Sequence, residues 1–284
     1  VPLQGIPIAV KDLYNTKGIR TTGGSKFFAD NIPSEDAFVV QKIKKAGGQV
    51  IGKTNTHEIA LGVTNNNPHF GACRNPWDTT RTPGGSSGGS SAALAAGYGP
   101  LSIGSDIGGS LRVPAFYCGV YAHKPTFDLV AMRGHVPPPL PPLPSNRDLS
   151  VIGPMARGAA DLTLLLDAMA GPDPLDAGIG YRLDLPAARH AELKDFRVLL
   201  IDTDPVLPTD TAVRATLEAL AGHLAKAGVK VDRSSPLLPD FAASTRLYMR
   251  RLMSFLGATF PPEVYAGAKA AAAAPAASPV ITVI

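Results

Sequence analysis

The chain has 284 residues, 45% of them hydrophobic and 18% charged, and a formal net charge of +4. That length buries one large core or two modest ones, and the charge is too small and too dispersed to point to a nucleic acid or a membrane as partner. Two cysteines, Cys73 and Cys118, exclude a disulfide framework, the six histidines fall in no metal-ligand spacing, and no apolar run is long enough to span a membrane. The class expected is a soluble, cytoplasmic globular enzyme.

In chain order, Ile6 to Val10 is an apolar run of strand length that delivers Lys11 and Asp12 at its end. Taken alone, Lys11 reads as a surface lysine snorkelling from a strand terminus. Gly23-Gly24-Ser25 is a loop, and Ser25 is given no role. Residues 35–46 carry Phe38, Val39, Ile43 and Ala46 at helical spacing, closed by Gly47-Gly48, and residues 49–53 read as a buried strand. The basic group Lys42, Lys44 and Lys45 sits on that helix and reads as a solvated face. Residues 54–81 are loop-rich, with Trp77, the only tryptophan, expected as a packing anchor.

Thr82 to Pro125 holds two glycine-serine loops, Gly84 to Gly89 and Asp106 to Ser110, separated by a small-residue helix and a strand. Glycines this dense allow positive φ and let a ligand approach main-chain N–H groups. Pro137 to Pro144 is a polyproline II run, expected as a rigid surface excursion over a substrate entrance. An amphipathic helix over 161–170 ends at Gly171-Pro172, and 172–195 is irregular. Then come a strand at 196–202, a helix at 211–227, a strand at 229–231 that returns to the same sheet, a helix at 239–257 and a low-complexity alanine segment at 266–277. Helix and strand in repeated alternation predict a layered α/β fold.

The segment from PGGSSGG through G-S-D-I-G-G-S-x-R-x-P-A-x-x-C-G to H-K-P-T resembles the signature region of the amidase signature family, serine amidases with a Ser-cisSer-Lys triad. Gly5-Ile6-Pro7-Ile8-Ala9-Val10-Lys11-Asp12 and Ile152-Gly153-Pro154-Met155-Ala156-Arg157 extend the likeness over at least the first 170 residues. The resemblance implies a mixed, twisted central sheet covered by helices on both faces, a three-layer α/β/α arrangement in one domain over 1–284. Its catalytic core would be about 1–171, with a βαβ-containing remainder at 172–284. Family members are longer, so a fragment truncated at both ends is expected.

By the same resemblance, Ser110 is the nucleophile, Ser86 the cis serine and Lys11 the terminal base, at separations of 24 and 75 residues. The chemistry asks that Lys11 be neutral, which burial beside hydroxyls achieves by disfavouring the ammonium, so Asp12 has to point elsewhere. Ser86 can accept from Ser110 while donating to Lys11. Backbone N–H groups of Ile107, Gly108, Gly109 and Ser110 would form the oxyanion hole. Ser87 and Ser105 would support the triad, and Asp106 and Arg112 would brace the nucleophile loop.

The expected reaction is hydrolysis of a carboxamide through an acyl-enzyme, with no cofactor and no metal. The expected partner is a small-molecule amide, with neither nucleic acid nor membrane, and a homodimer is left open. Met132, Leu140 and Leu143 hint at an apolar or aryl group on that amide. The alternative is the glutaminase component of a tRNA-dependent amidotransferase, which typically carries glutamine after the loop arginine. Here Val113 follows Arg112, which ranks a free-standing amidase first. A phosphate-cradling module would need a G-K-[ST] ending, and Gly88-Gly89-Ser90-Ser91 runs straight into alanines.

Overall fold

A computed structural model of the chain describes residues 1–135, 148–175, 182–204, 207–257 and 262–273. The polyproline run, with Leu140 and Leu143, lies outside them. The chain divides into two compact units, Val1–Asp184 and Leu185–Ile284.

In the first unit the elements run β1 (Pro7–Lys11), α1 (Phe38–Lys45), β2 (Gln49–Thr54), β3 (Asn66–Asn67), β4 (Gly71–Ala72), α2 (Gly88–Ala95), β5 (Leu101–Asp106), α3 (Arg112–Cys118), β6 (Tyr121–Ala122), β7 (Val151–Ala156) and α4 (Ala159–Met169). Five strands form one sheet in the order β2-β1-β5-β7-β6. β1 is parallel to both β2 and β5, whereas β7 is antiparallel to β5 and β6, so the sheet is mixed. The register sets Lys11 opposite Thr54, and Val10 opposite Ile103.

Alternation along the strands divides their side chains between two cores. Ile8 and Val10 of β1, Leu101 and Ile103 of β5 and Ile152 of β7 pack with Val39, Val40 and Ile43 of α1 and with Leu165 and Met169 of α4. Met155 of β7 faces the other way and packs with Leu94 of α2 and with Leu111 and Ala115 at α3. Helices therefore cover both faces of the central sheet. Pro114 is accommodated inside α3 because its place in the first turn needs no backbone donor.

Three local expectations change. β2 is half-exposed rather than buried, because it is an edge strand of the sheet. Trp77 donates its indole N–H to the Cys118 carbonyl at 2.8 Å but is 74% exposed, so its ring anchors no core. Met132 is buried in the α1/α4 core and is not available to a substrate.

In the second unit β8 (Arg197–Leu199), α5 (Thr211–Lys226) and β9 (Lys230–Asp232) make the expected βαβ unit, its strands parallel in a two-stranded sheet of their own. Asp210 caps α5 by accepting from the Ala212 amide at 2.8 Å. α6 (Phe241–Gly257) and α7 (Pro262–Ala273) follow.

Candidate active site

β1, β2 and β5 all end on the same side, because they are parallel, and the loops that leave those ends converge there. Lys11 is the last residue of β1 and is fully buried, which overturns the snorkelling reading. Its ammonium nitrogen lies 2.7 Å from Ser86 Oγ and 3.1 Å from Ser105 Oγ. Burial lowers the Lys11 pKa to about 7, against the opposing pull of the Asp106 carboxylate, so both protonation states are accessible near neutrality.

Asp12, one residue on, is directed elsewhere. Its carboxylate accepts from the Thr22 amide at 3.1 and 3.2 Å and from the Thr22 hydroxyl, and it stands 3.9 Å from Lys53 Nζ. Burial raises the pKa of Asp12 above the ordinary carboxylate value.

The peptide bond between Gly85 and Ser86 is cis. The Thr56 hydroxyl donates to the Ser86 carbonyl at 2.8 Å, and Asn67 Nδ2 donates to the carbonyls of Gly24 and Thr56, tying the first serine loop to the end of β2. Ser87 is buried; its hydroxyl donates to the Ser105 carbonyl at 3.3 Å and accepts from the Ser105 amide at 3.4 Å. The same residue's amide donates to the Ser110 carbonyl at 3.3 Å, which joins the two loops.

Asp106 organises the second loop. One carboxylate oxygen accepts from the Gly109 amide at 2.7 Å, the other from the Leu111 amide at 3.0 Å, and the Arg112 guanidinium grips both oxygens at 3.0 Å. Burial pushes the Asp106 carboxyl up, but the Arg112 and amide hydrogen bonds outweigh it and hold it below the ordinary value. Gly109 has φ of 110°, a conformation side chains rarely adopt, and so lets the chain turn back on Asp106.

Among the described residues, the hydrogen-bonded set is therefore Lys11, Ser86 and Ser105. Ser110, 6% exposed, is held beside it through the main chain. The Gly109 N–H already serves Asp106 and would reach an oxyanion only by sharing that bond. A cavity of about 350 Å³ opens at the ends of β1 and β2, lined by Asp12, Arg20, Thr22, Lys53, Asn55 and Phe70; neither Lys11, Ser86 nor Ser110 lines it. Thr56, Asn67 and Tyr14 went unnoticed in the sequence, since each acts through contacts with residues 30 or more positions away. Among the described residues, no helix is long and apolar enough to cross a membrane.

This is the architecture of an α/β enzyme with its reactive groups gathered at strand ends. The chain belongs to the amidase signature family: the family model described as Amidase matches residues 1–270.

Curated relatives include the glutamyl-tRNA(Gln) amidotransferase A subunit of Saccharolobus solfataricus, 52% identical over 231 residues, covering 81% of this chain and 46% of the relative. The protein of the same name from Thermus thermophilus is 48% identical over 186 residues, covering 66% and 37%. Among solved structures, the corresponding amidotransferase protein of Thermotoga maritima matches with a TM-score of 0.74 and 30% identity, covering 94% of this chain and 59% of that one. The peptide amidase of Stenotrophomonas maltophilia matches with a TM-score of 0.70 and 28% identity, covering 99% and 64%.

The chain thus spans about half the length of the curated relatives it matches. Those relatives also correct the expected partners. They are by name one component of a multi-subunit enzyme acting on a charged tRNA, which overturns the expectation of a small-molecule amide as partner with no nucleic acid involved.

Proposed function

We propose that this chain carries the hydrolytic site of a tRNA-dependent amidotransferase, releasing ammonia from the side-chain carboxamide of glutamine through an acyl-enzyme on Ser110. The observation that carries the chemistry is the fully buried Lys11 amine, bonded to serine hydroxyls and with its pKa lowered to about 7. The relatives' names support the substrate and the setting: companion subunits, a charged tRNA as ammonia acceptor and the cytoplasm. We take both compact units as parts of one amidase domain, since the family match runs across them.

In this reading neutral Lys11 accepts a proton from Ser86, which takes one from Ser110 as the Ser110 oxygen attacks the carboxamide carbon. Main-chain N–H groups of Ile107, Gly108, Gly109 and Ser110 receive the developing oxyanion. The relay runs backwards to protonate the departing ammonia, and water then cleaves the ester by the same route. Asp106 and Arg112 hold the loop, while Ser87 and Ser105 hold the two serine segments together.

The test is ammonia release by the full-length protein from glutamine, with and without its companion subunits, beside a panel of aliphatic, aryl and peptide amides. Glutamine is expected as the preferred substrate, with turnover increased by the companions. The second reading, a free-standing amidase, is favoured by Val113 in the place where amidotransferase glutaminases typically carry glutamine. Turnover of simple amides without companions, and none of glutamine, would establish it instead.

A further inference from the structure

We propose that Tyr14 is a positioning residue for this hydrolysis, fixing the direction of the hydrogen-bond chain behind Lys11 so that the amine's lone pair faces Ser86. The inference rests on the amide-hydrolysis reading above. Tyr14 lies three residues beyond Lys11 and is fully buried, and its hydroxyl donates to the Gly104 carbonyl at 2.6 Å.

Each step follows from counting protons. A phenol has one, and the Gly104 carbonyl can only accept it. The Tyr14 oxygen is then left as an acceptor, and the Ser105 side chain hydrogen-bonds to it. Ser105 also has a single proton, so with that proton on Tyr14 its oxygen can only accept from Lys11 Nζ, 3.1 Å away. A neutral amine has two N–H bonds and one lone pair. With one N–H directed to Ser105, the lone pair is left for the proton of Ser86, whose oxygen lies 2.7 Å from the same nitrogen.

Remove the phenol oxygen and Ser105 is released to rotate. Its hydroxyl can then donate to the Lys11 lone pair and compete with Ser86 for it. Two effects follow, and they run in opposite directions. Donation to the neutral amine stabilises it, which lowers the Lys11 pKa, while the occupied lone pair slows proton transfer.

The charged and titratable groups around this chain are few. Asp106, at the end of β5, acts on Lys11 but is itself clamped by Arg112. Asp12 is turned to Thr22 and Lys53. His135 packs its ring against that of Tyr14, with centroids 4.7 Å apart.

The experiment compares Tyr14→Phe, Ser105→Ala and the double variant in the full-length protein, with thermal melts alongside the kinetics. Tyr14→Phe is expected to lower kcat about 10- to 100-fold with KM little changed. The acid limb of its pH profile should move to lower pH, an effect that a general loosening of the core would not produce. On the Ser105→Ala background the Tyr14 substitution should cause little further loss, since there is no hydroxyl left to misdirect.

A wild-type pH profile in Tyr14→Phe, or an equal loss with and without Ser105, overturns the proposal. If Tyr14→Phe does not fold, 3-fluorotyrosine at position 14 keeps the shape while weakening the phenol as acceptor; a smaller shift of the same sign supports the proposal and no shift rejects it. Should Ser110→Ala or Lys11→Ala retain turnover, the amide-hydrolysis reading itself fails. If both are inactive while Tyr14→Phe behaves as wild type, only the role of Tyr14 fails.

Discussion

A lysine amine becomes a base near neutral pH only where water is kept from it, and that dryness weakens the fold that provides it. The pKa of Lys11 falls from an ordinary value of about 10.4 to about 7 when the chain folds. Between those values the unfolded chain holds a proton that the folded chain does not, so stability rises with pH from about 7 to about 10. Below about 7 both states are protonated and the full penalty of a buried ammonium applies, at most on the order of 5 kcal/mol. Lys11→Met is therefore expected to be inactive yet more stable than wild type at pH 6, with the gap closing towards pH 10; urea melts at the two pH values measure it. For activity the sign is the same, because the base has to be neutral: kcat/KM should climb through about pH 7. A flat profile between pH 5.5 and 8.5 would remove Lys11 from the mechanism. Ser110→Ala is expected to abolish turnover, and Ser86→Ala to lower it by several orders of magnitude, both read as ammonia release.

At the level of elements, the helices and strands of the first unit were legible because their apolar spacing is regular and their glycines and prolines fall at the ends. The small-residue segment between the serine loops gave α2 and β5, and the run ending at Lys11 gave β1. What the sequence hid was lateral placement: nothing within residues 49–54 says that β2 lies at an edge, and nothing near Trp77 says that its ring faces solvent. The pairing of β7 with β5 was equally hidden, yet it shapes the site, since it backs the strand that carries Ser105 and Asp106. Gly153 in β7 tests that support. A Cβ there would lie 2.2 Å from the His123 carbonyl oxygen and 2.6 Å from Leu111 Cδ1, and neither backbone oxygen nor core leucine can swing clear. Gly153→Ala is expected to destabilise the protein by about 3 kcal/mol, seen as a lower melting temperature. Leu165→Ala, on the opposite face of the sheet, would open a cavity in the larger core and cost about 2–5 kcal/mol. Its effect on turnover should follow the unfolded fraction alone, whereas Gly153→Ala should also lower the turnover of the folded fraction.

For the molecule as a whole, the family motifs made the site legible from the sequence, and its partners were misread there for a physical reason. Residues that bind other proteins or tRNA have no local pattern to obey, so a single departure such as Val113 was given more weight than the rest of the chain. The division into two units is testable with the same site chemistry. Residues 182–192 form no helix or strand and are exposed throughout, Arg182 and Arg189 among them, and backbone without hydrogen-bonded structure is where a protease cuts first. Limited trypsin digestion is expected to nick there before it cuts within β1 to α4. All three proposed catalytic residues, Lys11, Ser86 and Ser110, lie on the amino-terminal side of that nick. A fluorophosphonate probe, whose phosphorus bonds to an activated serine oxygen as fluoride leaves, should therefore label only the larger fragment when applied before digestion. The label should vanish in Ser110→Ala and weaken below pH 7, where Lys11 is protonated and cannot draw the proton from the hydroxyl chain. A label on the carboxy-terminal fragment, or one that survives Ser110→Ala, would place the nucleophile elsewhere.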